Sequence, residues 1–98
     1  MTDASDPTAV RARISVSGRV QGVGYRAFTI RVATQRGLVG GVRNTDDGRV
    51  ELEAEGPKDR ILSLIEDLKA GPPASRVTAV QVEWETATGR QTDFRVWY

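Results

Sequence analysis

Ala12, Ile14 and Val16 alternate with Arg11, Arg13, Ser15 and Ser17, which predicts a half-buried strand over roughly residues 10–17. A glycine-rich stretch follows. From about Tyr25 to Arg36 the period changes. Phe28 and Val32, with the small Ala27 and Ala33, recur near helical spacing, and Gly37 sits where a helix end takes a left-handed residue. Val39 to Arg43 reads as a second strand. Asn44-Thr45-Asp46-Asp47-Gly48 carries an Asp-Gly turn signal. Val50, Leu52 and Ala54 then alternate with Glu51, Glu53 and Glu55 in a third strand with one acidic solvent face, closing a hairpin. Pro57 suits the first turn of a helix. Ile61, Leu64, Ile65 and Leu68 follow at i, i+3, i+4, i+7, the clearest helical pattern in the chain. Gly71-Pro72-Pro73 ends it. Val77 to Trp84 is a fourth strand with Val80 and Val82 facing inward, Thr88-Gly89-Arg90 a turn, and Phe94 to Tyr98 a short final strand.

The order is β-α-β-β-α-β plus a last strand. Each β-α-β half takes its helix across one face of the sheet by a right-handed crossover. Both helices therefore cover the same face of an antiparallel sheet, a ferredoxin-like α/β sandwich in the α+β class. At 98 residues the chain is expected to form one domain. Residues 1–9 are polar, contain Pro7 and read as a loose tail, leaving 10–98 as the folded domain. There is no basic start and apolar run of a signal peptide. Nothing approaches the roughly 20 apolar residues of a membrane span. A soluble, cytoplasmic monomer is expected.

Composition narrows the chemistry more than charge does. Net charge is +1, so the overall field favours no particular partner, and a dedicated nucleic-acid module would be more basic. His and Cys are both absent. That excludes disulfides, thiol nucleophiles, Cys/His zinc sites, a histidine general base and a phosphohistidine. Catalysis is left to Arg, Asn, carboxylates, hydroxyls and backbone amides.

The stretch Ser17-Gly18-Arg19-Val20-Gln21-Gly22-Val23-Gly24-Tyr25-Arg26 joins a strand to a helix N-terminus. Amides at that place lack intrahelical partners, and an oxyanion satisfies them and interacts favourably with the helix dipole. Glycine spacing alone is a weak signal, because glycines often only make a turn. The stretch has no Gly-Lys-Ser/Thr of a Walker loop, and its spacing is not the dinucleotide fingerprint. Arg26 falls in the first helical turn, where a cation opposes the dipole unless a bound phosphate reverses the sign. Its planar fork can hold two phosphate oxygens. Arg19 competes for that role from earlier in the loop. Asn44 is a common type of turn residue, yet its amide offers a donor and an acceptor that together can orient a water.

The other polar groups read more plainly. Asp46 and Asp47 serve the turn rather than magnesium, since no third carboxylate is near in sequence. Glu51, Glu53 and Glu55 read as a solvated face with no metal. Trp84, Phe94 and Trp97 read as core or edge fillers rather than base-stacking platforms.

At these residues the chain resembles the acylphosphatases. The resemblance runs from Val16 through Arg26, then Gly37-Leu38-Val39-Gly40, Val42-Arg43-Asn44 and Asp47-Gly48-Arg49-Val50-Glu51. It ends on Gly71-Pro72 and Phe94-Arg95-Val96, covering about residues 10–98. It implies a ferredoxin-like fold and hydrolysis of the carboxyl–phosphate bond of acyl phosphates, with no metal and no cofactor. It places the catalytic arginine on Arg26 and the water-orienting asparagine on Asn44. It places the phosphate cradle on the backbone amides of Gln21, Gly22, Val23, Gly24, Tyr25 and Arg26. The implied partners are a small acyl phosphate and inorganic phosphate as product and competing ligand, with no nucleic acid and no membrane. Two positions depart from the family pattern. Gly41 stands where an aromatic residue is frequent, which is expected to thin the packing of the second strand or alter the wall near the acyl group. Tyr25 stands where Phe is common.

The residue set suits that reaction. A carboxylate leaving group has a reference pKa of about 4 and needs little general acid. Phosphoryl transfer has a loose transition state, so the attacking water needs little deprotonation. Holding the phosphate, spreading its charge and placing a water remain. Two other readings share the fold. One is a module that binds phosphate or an acyl phosphate without turnover. The other is an RNA-binding module, which needs aromatic and basic residues on the open sheet face, where Glu51, Glu53 and Glu55 stand instead.

Overall fold

The computed structural model describes residues 8–98. Seven elements follow one another: β1 (Ala9–Arg19), α1 (Tyr25–Gln35), β2 (Val39–Asn44), β3 (Val50–Pro57), α2 (Lys58–Ala70), β4 (Arg76–Thr86) and β5 (Phe94–Val96). They form one five-stranded sheet in the order β4-β1-β3-β2-β5. Most of the expected tail lies outside the described residues. Ala9 does not belong to it, since it opens β1 and pairs with Pro57.

The alternation in β1 sets the sheet. Ala12, Ile14 and Val16 are buried and face Ala54, Leu52 and Val50 of β3 across an antiparallel register. Val42 of β2 continues that buried row beside Leu52. The predicted stripe of α2, Ile61, Leu64, Ile65 and Leu68, is wholly buried. Tyr25, Thr29, Val32 and Ala33 of α1 join it over the same face. The two helices and the sheet thus share one core, the ferredoxin-like α/β sandwich.

Three expectations change. The sheet is mixed: β5 pairs parallel to β2, through Gly40↔Phe94 and Val42↔Val96, while the other pairings are antiparallel. The chain leaves β4 at one edge and enters β5 at the other, so residues 87–93 must span the sheet. Pro57 ends β3 with extended geometry (ψ 136°) and sits at the N-cap position, so α2 begins at Lys58. The acidic row on the open face is also not simply solvated. Glu55 is only 3% exposed and Arg11 6%. Glu55 accepts from the Arg11 guanidinium (3.0 Å) and from the amides of Thr88 (2.7 Å) and Gly89 (2.9 Å). Burial opposes its ionisation, but these donors outweigh burial and hold its pKa below the ordinary value. Arg11 also donates to Gln91 (2.9 Å). The pair therefore clasps the segment leading to β5.

Candidate active site

The loop between β1 and α1 owes its shape to two glycines. Gly22 and Gly24 hold φ of 73° and 80°, a region that strains any residue with a side chain. A Cβ on either would meet nothing within 4 Å. The glycines therefore serve the backbone path, and the space in front of the loop stays open. Gly24 occupies the N-cap position of α1 and offers no side-chain acceptor, and the first turn of α1 contains no acidic residue. In α2, by contrast, Asp59 stands in the first turn. Phe28 N–H donates to the Gly24 carbonyl (3.0 Å). The amides before it, from Gln21 to Arg26, find no acceptor among the described residues. An uncapped, dipole-positive terminus of this kind favours an anion beside it.

Tyr25 anchors the start of α1. Its ring is buried, and its hydroxyl donates to the Leu68 carbonyl (2.6 Å) in the last turn of α2. Burial pushes its phenol well above the ordinary range, so it stays a donor. The next residue, Arg26, is half-buried and has no carboxylate partner among the described residues. A guanidinium left unpaired in the first turn of a helix is unfavourable without an anion beside it.

Asn44 is the last residue of β2, paired with Val50, so it precedes the turn instead of starting it. Its Oδ1 is buried and has no hydrogen-bond partner. Such an orphan costs about 1–3 kcal/mol unless a donor reaches it, and water is the natural donor at the floor of an open cleft.

Arg26 and Asn44 line one cleft of about 380 Å³. Gly22, Gly24 and Tyr25 complete its polar side, and Val20, Ala27, Ile30, Val96 and Tyr98 its apolar side. Gln21 and Val23 do not line it. Val23 packs against the core. The Gln21 side chain turns to the hairpin, donating to the carbonyls of Thr45 (2.8 Å) and Arg49 (2.9 Å). Arg19 closes β1 opposite Arg76, outside the cleft. Asp46 and Asp47 take part in the turn: Asp47 binds Thr45 and Arg49, and among the described residues no cluster of carboxylates could hold a metal.

The acylphosphatase family model matches residues 12–96. The chain belongs to the acylphosphatase family. It is 48% identical over 89 residues to an acylphosphatase of Salinibacter ruber, covering 91% of this chain and 94% of that protein. Its fold matches the crystal structure of acylphosphatase from Bacillus subtilis with a TM-score of 0.88 and 44% identity, over 91% of this chain and 99% of that one. It also matches T. kodakarensis HypF (TM-score 0.79, 32% identity), covering 91% of this chain but only 12% of that one. The chain is thus an acylphosphatase, a hydrolase of ferredoxin-like fold. No helix among the described residues is long and apolar enough to cross a membrane.

Several groups of this acylphosphatase site were not visible in the sequence pattern. Ile30 had a signal: it lies four residues after Arg26, on the same helix face. Val96 and Tyr98 had none, because their place depends on β5 pairing with β2. The side chain of Gln21 was likewise hidden behind the expected role of its amide.

Proposed function

We propose that this acylphosphatase holds the phosphoryl group of its substrate on the Gln21–Arg26 amides and the Arg26 guanidinium, and that Asn44 orients the attacking water. The observation that carries the reading is the convergence of Arg26, open amides and the unpartnered Asn44 Oδ1 on one cleft. Water attacks phosphorus, the bond from phosphorus to the carboxyl oxygen breaks, and the carboxylate leaves with the bonding electrons. The water proton passes to a phosphate oxygen, so the products are a carboxylate and inorganic phosphate. No side chain has to exchange a proton, which fits a cleft whose ionisable side chains among the described residues are Arg26 and two tyrosines. The substrate is a small acyl phosphate, and phosphate competes for the same cradle. The ion-paired open face offers no platform for RNA bases, and the reading has the protein acting as a cytoplasmic monomer.

Hydrolysis of a chromophoric acyl phosphate tests the assignment. Asn44→Ala should lower kcat about 100-fold, in line with the loss of one preorganised polar group, with phosphate affinity kept within about twofold. Arg26→Ala should weaken phosphate binding and lower kcat/KM by about 1,000-fold. Chelator should leave the rate unchanged, and ordinary phosphomonoesters should turn over poorly. Full turnover by Asn44→Ala would remove its role. Phosphate binding without any acyl phosphate hydrolysis would make the cleft a binding site only.

A further inference from the structure

The apolar half of the cleft has no part in holding phosphate. Ile30 follows Arg26 by one helical turn, which puts their Cβ atoms about 5–6 Å apart on one face of α1. Val96 and Tyr98 come from a different element, at and just beyond the end of β5, and Ala27 of α1 also lines the cleft. Ala27 and Tyr98 are exposed, and Ile30 and Val96 half-buried. Three large apolar side chains are well exposed among the described residues, Leu62, Trp84 and Tyr98. Trp84 lies under the Lys58 ammonium, 5.0 Å from its ring centroid. Of the three, only Tyr98 lines this cleft. Among the described residues Arg26 is the only cation in the lining, and in the proposed function the phosphoryl group uses it.

We propose that Ile30, Val96 and Tyr98 form an acyl-group subsite, and that this acylphosphatase selects acyl phosphates with an uncharged, apolar acyl chain over those carrying a second anionic group. The proposal rests on the assignment of Arg26 and the loop to the phosphoryl group. An acyl chain leaving that cradle runs onto apolar surface, and covering Ile30 and Tyr98 removes that surface from water. A second phosphate on the acyl part would lose hydration there and find no second cation to replace it.

The test compares acetyl, butanoyl and hexanoyl phosphates with an acyl phosphate bearing a second phosphate. The straight-chain carboxylates have nearly the same basicity, so the series reports contact and not leaving-group ability. We expect kcat/KM to rise about tenfold from acetyl to hexanoyl, mainly through KM, from partial burial of the added methylenes. The doubly phosphorylated substrate should fall below acetyl phosphate. Ile30→Ser and Tyr98→Ala should each cut the chain-length gain to about threefold or less. Calorimetry with the matching acylphosphonates, which cannot be hydrolysed, gives the same comparison as Kd and remains readable in a slow variant. A flat series, or a gain unchanged in both variants, overturns the subsite. If acetyl phosphate turnover needs Arg26 while the series is flat, the subsite alone fails. If no acyl phosphate is hydrolysed, the reading of the cleft fails, and the phosphonate affinities still decide whether an apolar subsite exists.

Discussion

Gly41 lies directly against the indole of Trp97: a Cβ added to Gly41 would come within 2.0 Å of the Trp97 ring. The absent aromatic side chain on β2 is therefore made up for by one supplied from the end of β5. The backbone N–H of Trp97 donates to the Val42 carbonyl (2.7 Å), which ties the chain just beyond β5 to β2 beside the glycine. The expected thinning of β2 does not occur. Gly41→Ala should force Trp97 aside and cost about 1–3 kcal/mol, the usual range for overpacking. The same change in a Trp97→Ala background should cost much less. Urea unfolding of the four proteins in this cycle measures the coupling, and a cost unchanged by removing Trp97 would show that the indole does not set it.

Why some of this was legible and some not follows from the range of each interaction. The strands around Ile14 and Leu52 and the helix around Ile61 to Leu68 are set by local periodicity, so the sequence pattern located them. The places of Arg26 and Asn44 were legible because each belongs to a local element, the first turn of α1 and the end of β2. The clasp between Arg11 and Glu55 could not be read in the same way. Alternating charges normally mark a solvated face, and only the passage of residues 87–93 covers this one. The parallel pairing of β5 was equally hidden, because three residues carry no mark of which strand they will join.

Tyr25→Phe should lower stability by about 1–2 kcal/mol. The hydroxyl is lost, and the Leu68 carbonyl near the end of α2 is left without that donor in a buried place. The parent protein should show a matching pH effect. Its phenol ionises at higher pH in the folded state than in the unfolded state. The neutral form therefore stabilises the fold fully below the unfolded value of about 10, and that contribution falls as pH rises beyond it. Chemical denaturation at pH 7 and above pH 10 checks both: the parent should lose more than Tyr25→Phe does across that interval.

Glu55 gives the opposite pH dependence. Its pKa is lowered by folding. The stability it contributes is therefore complete above the unfolded value of about 4.3 and is lost as pH falls through the lower folded value. Glu55→Gln removes this dependence and leaves Arg11 with Glu53, Gln91 and the more distant Glu85 as its charged and polar partners among the described residues. Because Glu53 stays, the cost at pH 7 should be near the lower end for a broken buried pair, about 3 kcal/mol. Denaturant midpoints from pH 7 down to pH 3 should converge for parent and variant. Parallel curves would mean that Glu55 titrates alike in both states.

Gln21 joins the two halves of the site. One amide nitrogen bridges the carbonyls at the two ends of the hairpin turn, Thr45 and Arg49. Gln21 directly precedes Gly22 of the loop before α1, and Thr45 directly follows Asn44. The side chain thereby fixes the distance between the proposed cradle and the Asn44 amide proposed to orient water, without itself lining the cleft. Gln21→Ala should lower kcat about tenfold while phosphate affinity changes little, because the cradle persists but Asn44 is no longer held against it. Gln21→Glu should be worse than Ala above the carboxylate pKa, since a carboxylate cannot donate to two carbonyls, and it should recover partly as acid protonates it. A purely structural role predicts a different pattern, in which both variants lose stability and the kinetic constants of the folded fraction stay unchanged. Steady-state kinetics with phosphate inhibition, from pH 4 to pH 7, separates the two.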